Sequence, residues 1–125
     1  MSEQLERSVQ AFLDLGVTGD IAGSLDCLAD GASYQINAWN EPLVGRDAIR
    51  QEFEGQRSLY SNFRYQLLNI GSAGNVVFIE RIDTVQVGDR DVSVHMAGVF
   101  EFDDAAKIVS WRDYFDMKEI EAQLP

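Results

Sequence analysis

Apolar side chains recur with a helical period over the first part of the chain. A first amphipathic helix is predicted over about residues 3–16, and Gly16 and Gly19 are expected to end it. Its apolar positions are spaced by one, three or four residues: Leu5, Val9, Phe12 and Leu13. This spacing places them on one face of the helix.

Two more helices are predicted before residue 60. Asp20 is expected to cap the second helix and Gly31 to end it. Its buried stripe would consist of Ile21, Leu25 and Leu28. A short strand over residues 32–37 and an irregular loop lead to a third helix, which opens at Gly45-Arg46-Asp47.

Beyond the third helix, apolar and polar residues alternate, which is typical of strands. Phe63, Tyr65 and Leu67 begin this pattern. Further strands are predicted over residues 76–87, 91–102 and 107–115, with turns at Gly88-Asp89-Arg90 and Asp103-Asp104, and a terminal helix over residues 117–124. Helices followed by antiparallel strands predict an α+β fold. We expect a curved, mixed but mostly antiparallel sheet that forms a cone, with N-terminal helices packed round a deep apolar pocket.

The length and net charge of the chain limit its number of domains and its classes of partner. A chain of 125 residues is expected to form a single domain, residues 1–125. Its formal net charge of -11 repels phosphate backbones and anionic lipid, so neither nucleic acid nor a membrane is an expected partner. Neither a signal peptide nor a membrane-length apolar run is visible, which predicts a cytoplasmic protein. The single cysteine, Cys27, is expected to be an inert buried thiol.

Two predicted strands carry charged residues on apolar faces. Residues i and i+2 of a strand share a face. Arg81 and Asp83 therefore project beside Ile79 and Val85. In the last strand, the same rule groups Asp113 with Val109, Trp111 and Phe115. Each face thus holds at least one ionisable group that needs a partner.

The ionisable groups on the two faces are partners of one another if Arg81 lies between Asp83 and Asp113. The planar guanidinium group can hydrogen-bond both carboxyl groups. Repulsion and burial then favour one proton shared by the carboxyl pair, which provides one acid and one base. A buried ion pair that only stabilises the fold, or a charge at the rim of the sheet, accounts for the same pattern.

Several segments resemble the limonene-1,2-epoxide hydrolase family. The most specific are Glu80-Arg81-Ile82-Asp83, Gly98-Val99-Phe100 and Trp111-Arg112-Asp113-Tyr114-Phe115-Asp116. Tyr34-Gln35-Ile36-Asn37 and Gly45-Arg46-Asp47-Ala48 also look like that family, so the resemblance covers nearly the whole chain from residue 8. It implies a hydrolase that adds water directly to an epoxide, without a covalent intermediate.

The resemblance also implies a role for each candidate catalytic residue. Asp113 would be the base that deprotonates a water molecule, Asp83 the acid that protonates the epoxide oxygen, and Arg81 the bridge between them. Tyr34 would help to hold the water. The family usually has an asparagine two residues after this tyrosine, where this chain has Ile36. A local bulge would bring in Asn37 instead, with Asn40 as the alternative.

The expected pocket is otherwise apolar. Val85, Trp111 and Phe115 follow from strand alternation, and the resemblance adds Val94, Met96 and Ile120. The expected partners are water and a small terpene- or cycloalkene-type epoxide, with no cofactor and no metal. By resemblance, the protein is also expected to be a homodimer.

Two other functions suit the same cone. One is an isomerase or cyclase of the ketosteroid-isomerase or polyketide-cyclase type, which also places acids in an apolar pocket. The other is a non-catalytic module that binds a small molecule. Arg81 between two carboxylates suits water activation better than an isomerase, and a binding module has no reason to bury the charged residues. His95, the only histidine, is expected to be structural.

Overall fold

The computed structural model describes residues 2–125. Within this range the chain forms four helices: α1 (Ser2–Thr18), α2 (Ile21–Asp26), α3 (Arg46–Leu59) and α4 (Met117–Glu121). It also forms six strands: β1 (Leu28–Gln35), β2 (Leu43–Val44), β3 (Ser61–Ala73), β4 (Val76–Val87), β5 (Arg90–Phe102) and β6 (Ile108–Tyr114). None of the described helices combines the length and the apolar character that crossing a membrane requires.

The six strands form one curved, open sheet in the order β2-β1-β6-β5-β4-β3. Neighbouring strands are antiparallel except for β1 and β6, which are parallel. Helix α1 packs against β3 and β4, and α3 packs against β1 and β2. The predicted α+β fold with a mixed, mostly antiparallel sheet is therefore confirmed.

The first helix ends just before Gly19, the second of the two glycines that were expected to end it. It continues through Gly16 to Thr18, and Gly19 then adopts a positive φ of 78°. Only glycine enters this region without strain. The Gly19 carbonyl accepts a hydrogen bond of 2.6 Å from the Arg57 guanidinium group, which ties the turn to α3.

The second helix is shorter than predicted. Asp20 does cap it, since its Oδ1 accepts a hydrogen bond from the Gly23 amide at 2.8 Å. The helix nevertheless ends at Asp26, and Gly31 lies inside β1 rather than at the helix end. Leu28 is the reason, because its buried side chain pairs with Ile108 of β6 and starts the strand early.

A bulge in β6 corrects one prediction from strand alternation. Phe102 pairs with Ile108 and Glu101 with Ser110, so Val109 is an extra residue on β6. As a result, Ile108 is buried in the core and Val109 is only half-buried. Alternation resumes at Ser110, which leaves Trp111 and Asp113 on the concave face as predicted.

Helix α3 is attached to the sheet through Ile49, whose side chain is fully buried. We expect Ile49→Ala to lower the free energy of unfolding by about 2–5 kcal/mol, because it removes buried methyl groups and leaves a cavity. Urea denaturation followed by circular dichroism measures this loss. Val44→Ala, at a position that is 63% exposed, is the matched control and should change stability by less than about 0.5 kcal/mol.

Candidate active site

The register of three adjacent strands places a charged trio, Arg81, Asp83 and Asp113, on the concave face of the sheet. Strand β5 lies between β4 and β6. Gly98 of β5 pairs with Asp113 on one side and with Ile79, two residues before Arg81, on the other. Because Gly98 has no side chain, the Arg81 side chain can cross β5 and reach Asp113.

Arg81 hydrogen-bonds both carboxylates of the trio. Its Nε donates to Asp83 Oδ1 at 2.8 Å, and its Nη2 donates to Asp83 Oδ2 at 3.2 Å. On the other side, Nη1 donates to Asp113 Oδ1 at 3.2 Å and Nη2 to Asp113 Oδ2 at 3.0 Å. The Arg81 side chain is only 2% exposed, and those of Asp83 and Asp113 are 12% and 5% exposed. The trio is thus a buried, internally paired cluster.

Burial and pairing shift the pKa of every member of the trio. Desolvation raises the pKa of both Asp83 and Asp113, and the Arg81 charge only partly counters it. For Arg81, burial disfavours the charged form, but the charges of Asp113 and Asp83 outweigh it and raise its pKa. Arg81 therefore stays charged, while a proton on one of the carboxyl groups relieves the excess of negative charge.

The two carboxyl groups differ in their hydrogen bonds. Asp113 Oδ1 also accepts a bond of 3.0 Å from the Trp111 indole Nε1, whereas, among the described residues, only Arg81 donates to the Asp83 side chain. A donor favours the ionised carboxylate. The additional donor therefore favours the proton on Asp83 and the negative charge on Asp113.

The trio opens into a cavity of about 410 Å³, a size typical of small-molecule sites. All six residues expected in the apolar pocket line it: Val85, Val94, Met96, Trp111, Phe115 and Ile120. Helix α1 adds Phe12, Leu13 and Leu15. Most of the wall is therefore apolar.

Tyr34 also lines the cavity, beside the trio. It lies opposite Trp111 in the parallel β1–β6 pair, and the two rings stack with centroids 4.0 Å apart. Burial and the nearby Asp113 charge raise the pKa of Tyr34. The hydroxyl group of Tyr34 thus remains protonated next to Asp113.

The structure does not bring Asn37 to the cavity lining. Strand β1 ends at Gln35, and the following turn directs the Asn37 amide to the backbone. Its Nδ2 donates to the Phe115 carbonyl at 3.2 Å, and its Oδ1 accepts from the Trp39 amide at 3.2 Å. Asn40 is exposed, and Ile36 is the residue of this segment that lines the cavity after Tyr34.

The sequence reasoning missed a polar strip formed by α3 and by Tyr60, the residue that follows it. Glu52, Gln56 and Tyr60 line the cavity together with the apolar residues. Gln56 Nε2 donates to Glu52 Oε2 at 2.8 Å. The spacing of four residues from Glu52 to Gln56 and to Tyr60 was visible in the sequence. Next to the inward-facing Ile49 and Phe53, it could have indicated a polar edge to the pocket.

His95 lies outside the cavity lining. Its exposed ring has Nδ1 2.6 Å from Glu119 Oε2, and its backbone amide donates to Glu119 Oε1 at 2.9 Å. These contacts hold α4, which carries the cavity residue Ile120, against β5. The position agrees with the structural role expected for His95.

The comparisons with known proteins point to one family. The family model described as the limonene-1,2-epoxide hydrolase catalytic domain matches residues 3–125. Epoxide hydrolase EphG of Mycobacterium tuberculosis is 30% identical over 115 residues, which cover 90% of this chain and 74% of that protein. A solved M. tuberculosis epoxide hydrolase of the same type superimposes with a TM-score of 0.86 at 28% identity, covering 98% of this chain and 90% of the other.

A second solved structure shows the fold alone. It is SalBIII, an epoxide hydrolase/cyclase-like enzyme with a role in pyran ring formation in the polyether salinomycin. The TM-score is 0.83 at 17% identity, and the match covers 94% of each chain.

Gly98 leaves room for the trio. A Cβ atom at this position would lie 2.8 Å from both Arg81 Nη1 and Asp113 Oδ1. We expect Gly98→Ala to separate this ion pair and to lower stability by about 1–3 kcal/mol, measured by urea denaturation. Gly71→Ala is the control, since a Cβ there meets no atom within 4 Å. Equal stability of the two variants would contradict the packing argument.

Proposed function

The chain belongs to the limonene-1,2-epoxide hydrolase family, and from this premise we propose that it adds water to a small epoxide to give a vicinal diol. The reaction would take one step, without a covalent intermediate. The observation that carries the proposal is the Arg81 trio, in which one guanidinium group binds two carboxyl groups that line one cavity.

In the proposed reaction Asp113 is the base and Asp83 is the acid. Asp113 takes a proton from a water molecule, and the water oxygen bonds to an epoxide carbon. The bond between that carbon and the epoxide oxygen breaks, and the oxygen receives the proton of Asp83. After this step Asp113 carries a proton and Asp83 does not. Transfer of a proton from Asp113 to Asp83 restores the starting state. Ring strain supplies much of the driving force, and acid and base each contribute about 10²–10⁴ in rate.

Arg81 allows one carboxyl group to act as the base and the other as the acid. Burial favours protonation of both groups, and the positive charge of Arg81 opposes it. The hydrogen bonds of Arg81 also hold both groups at fixed positions. The bond from Trp111 then leaves the charge on Asp113. A buried ion pair that served only stability would have no need of a cavity, whereas all three residues of this trio line one.

We propose that Tyr34 and Gln56, rather than Asn37, help Asp113 to hold the water. Tyr34 and Gln56 line the same cavity as Asp113. When Gln56 donates to the Tyr34 oxygen, the hydroxyl hydrogen of Tyr34 is available to a water molecule. The side-chain amide of Asn37 is instead hydrogen-bonded to the backbone of Phe115 and Trp39.

The mostly apolar wall supports a small apolar epoxide, such as a terpene or cycloalkene oxide, as the substrate. The isomerase, cyclase and binding-module alternatives have less support, because none of them needs an arginine between two carboxyl groups. The homodimer and the cytoplasmic location stay predictions from the sequence.

The test is turnover of limonene oxide and cyclohexene oxide in ¹⁸O-labelled water, with diol followed by mass spectrometry. We expect one labelled oxygen in the diol from a single turnover, because water attacks the epoxide directly. Asp83→Asn and Asp113→Asn should each lower kcat by at least about 10²-fold, since each removes an acid or a base.

The control is Asp103→Asn, which changes a carboxylate of a surface turn and should leave kcat unchanged. Unlabelled diol after a single turnover would indicate a covalent intermediate instead of direct attack by water. Absence of diol from a wider epoxide panel would remove the hydrolase proposal.

The pH dependence tests the assignment of the base. Turnover should fall as the pH drops through the pKa of Asp113, which burial raises above the ordinary carboxyl value of about 4. Trp111→Phe removes a donor that lowers this pKa, so the acidic limb should move to higher pH by about 0.5–1 unit. A kcat/KM profile against pH measures the shift. An unmoved acidic limb would mean that Asp113 is not the base.

A further inference from the structure

The polar strip of Glu52, Gln56 and Tyr60 has no role in the proposed reaction beyond that of Gln56 beside Tyr34. All three residues are half-buried and line the cavity. Glu52 and Gln56 lie on α3, and Tyr60 directly follows its last residue. Gln56 uses Nε2 to bind Glu52 Oε2. Among the described residues, neither Glu52 Oε1 nor the Tyr60 hydroxyl has a hydrogen-bond partner. The strip thus offers one carboxylate oxygen and one hydroxyl group to whatever fills the cavity.

The strip and the acid of the trio line the same cavity. Burial raises the pKa of Tyr60, and the nearby Glu52 carboxylate raises it further. The Tyr60 hydroxyl therefore stays protonated. An epoxide whose oxygen is placed at Asp83 would share the cavity with the strip.

A purely apolar substrate leaves the polar strip of this mostly apolar wall without hydrogen-bond partners. Filling the cavity expels the water that solvates Glu52 and Tyr60, and an apolar surface cannot replace those hydrogen bonds. A substituent that both donates and accepts a hydrogen bond removes the penalty. A hydroxyl group does so, because it can donate to the Glu52 carboxylate and accept from the Tyr60 hydroxyl.

We propose that the substrate is an epoxide with an apolar body and a hydroxyl substituent near the ring, bound by Glu52 and Tyr60. This inference rests on the proposed hydrolase function and specifies its substrate class. The rest of the wall receives the apolar body, and the trio opens the epoxide.

The test compares cyclohexene oxide with its ring-hydroxylated derivative and with the methyl ether of that derivative. The ether has similar bulk but cannot donate a hydrogen bond. Binding to Asp113→Asn, which should not turn the compounds over, is measured by calorimetry, and kcat/KM is measured with the wild-type protein. We expect the hydroxylated compound to be favoured by about 10- to 100-fold over both others, because its bond is to a charged acceptor.

Variants separate the two contacts. Glu52→Gln should remove most of the preference for the hydroxylated compound, and Tyr60→Phe should reduce it, while neither weakens the binding of cyclohexene oxide. Glu54→Gln is the matched control, since Glu54 is exposed on the same helix and should leave all values unchanged.

The outcomes distinguish this inference from the proposed function. Equal affinity for the three compounds, or an equal effect of Glu52→Gln on all of them, overturns the hydroxyl subsite and leaves the hydrolase proposal intact. Tighter binding of the hydroxylated compound without turnover of any epoxide supports the subsite and overturns the hydrolase proposal.

Discussion

Burial of the Arg81 charge is the constraint on which the rest of the site depends. A guanidinium group that is 2% exposed must have its donors paired, and Asp83 and Asp113 supply the acceptors. Removing either carboxylate leaves charge unbalanced in a dry environment. The burial that imposes this requirement also raises the pKa of both carboxyl groups, and the Arg81 charge only partly counters it. Burial therefore determines both the pairing within the cluster and the direction in which the pKa of its carboxyl groups shifts.

The sheet sets the distances within this cluster. Asp83 and Arg81 are two residues apart on one strand, and Asp113 lies across β5, opposite Gly98. A side chain at Gly98 would fill the gap through which the ion pair forms. Because backbone pairing sets these separations, the geometry of the trio requires no flexible loop. Helices and loops supply much of the remaining cavity wall.

Alternation along strands allowed much of the site to be predicted from sequence. It placed Arg81, Asp83 and Asp113 on inward faces, and the need to pair buried charges brought them together. It failed at Val109, because a bulge depends on pairing with a strand elsewhere in the chain. Asn37 lies in a turn, where no periodicity indicates the direction of a side chain, and two backbone groups there decide it. The polar strip was missed because a half-buried helical position can face solvent or a cavity equally well.

The parallel pairing of β1 with β6 has a consequence for the order of folding. It brings Tyr34 beside Trp111, and nearby it joins Asn37 to Phe115, 78 residues further along the chain. Hairpins such as β4–β5 close short loops and can form early, whereas this pairing must close most of the chain. We therefore expect the hairpins of β3, β4 and β5 to pair before β1 joins β6, so that the trio assembles late. A chain that stops before β6 lacks Asp113 and Trp111, and with them one side of the cavity.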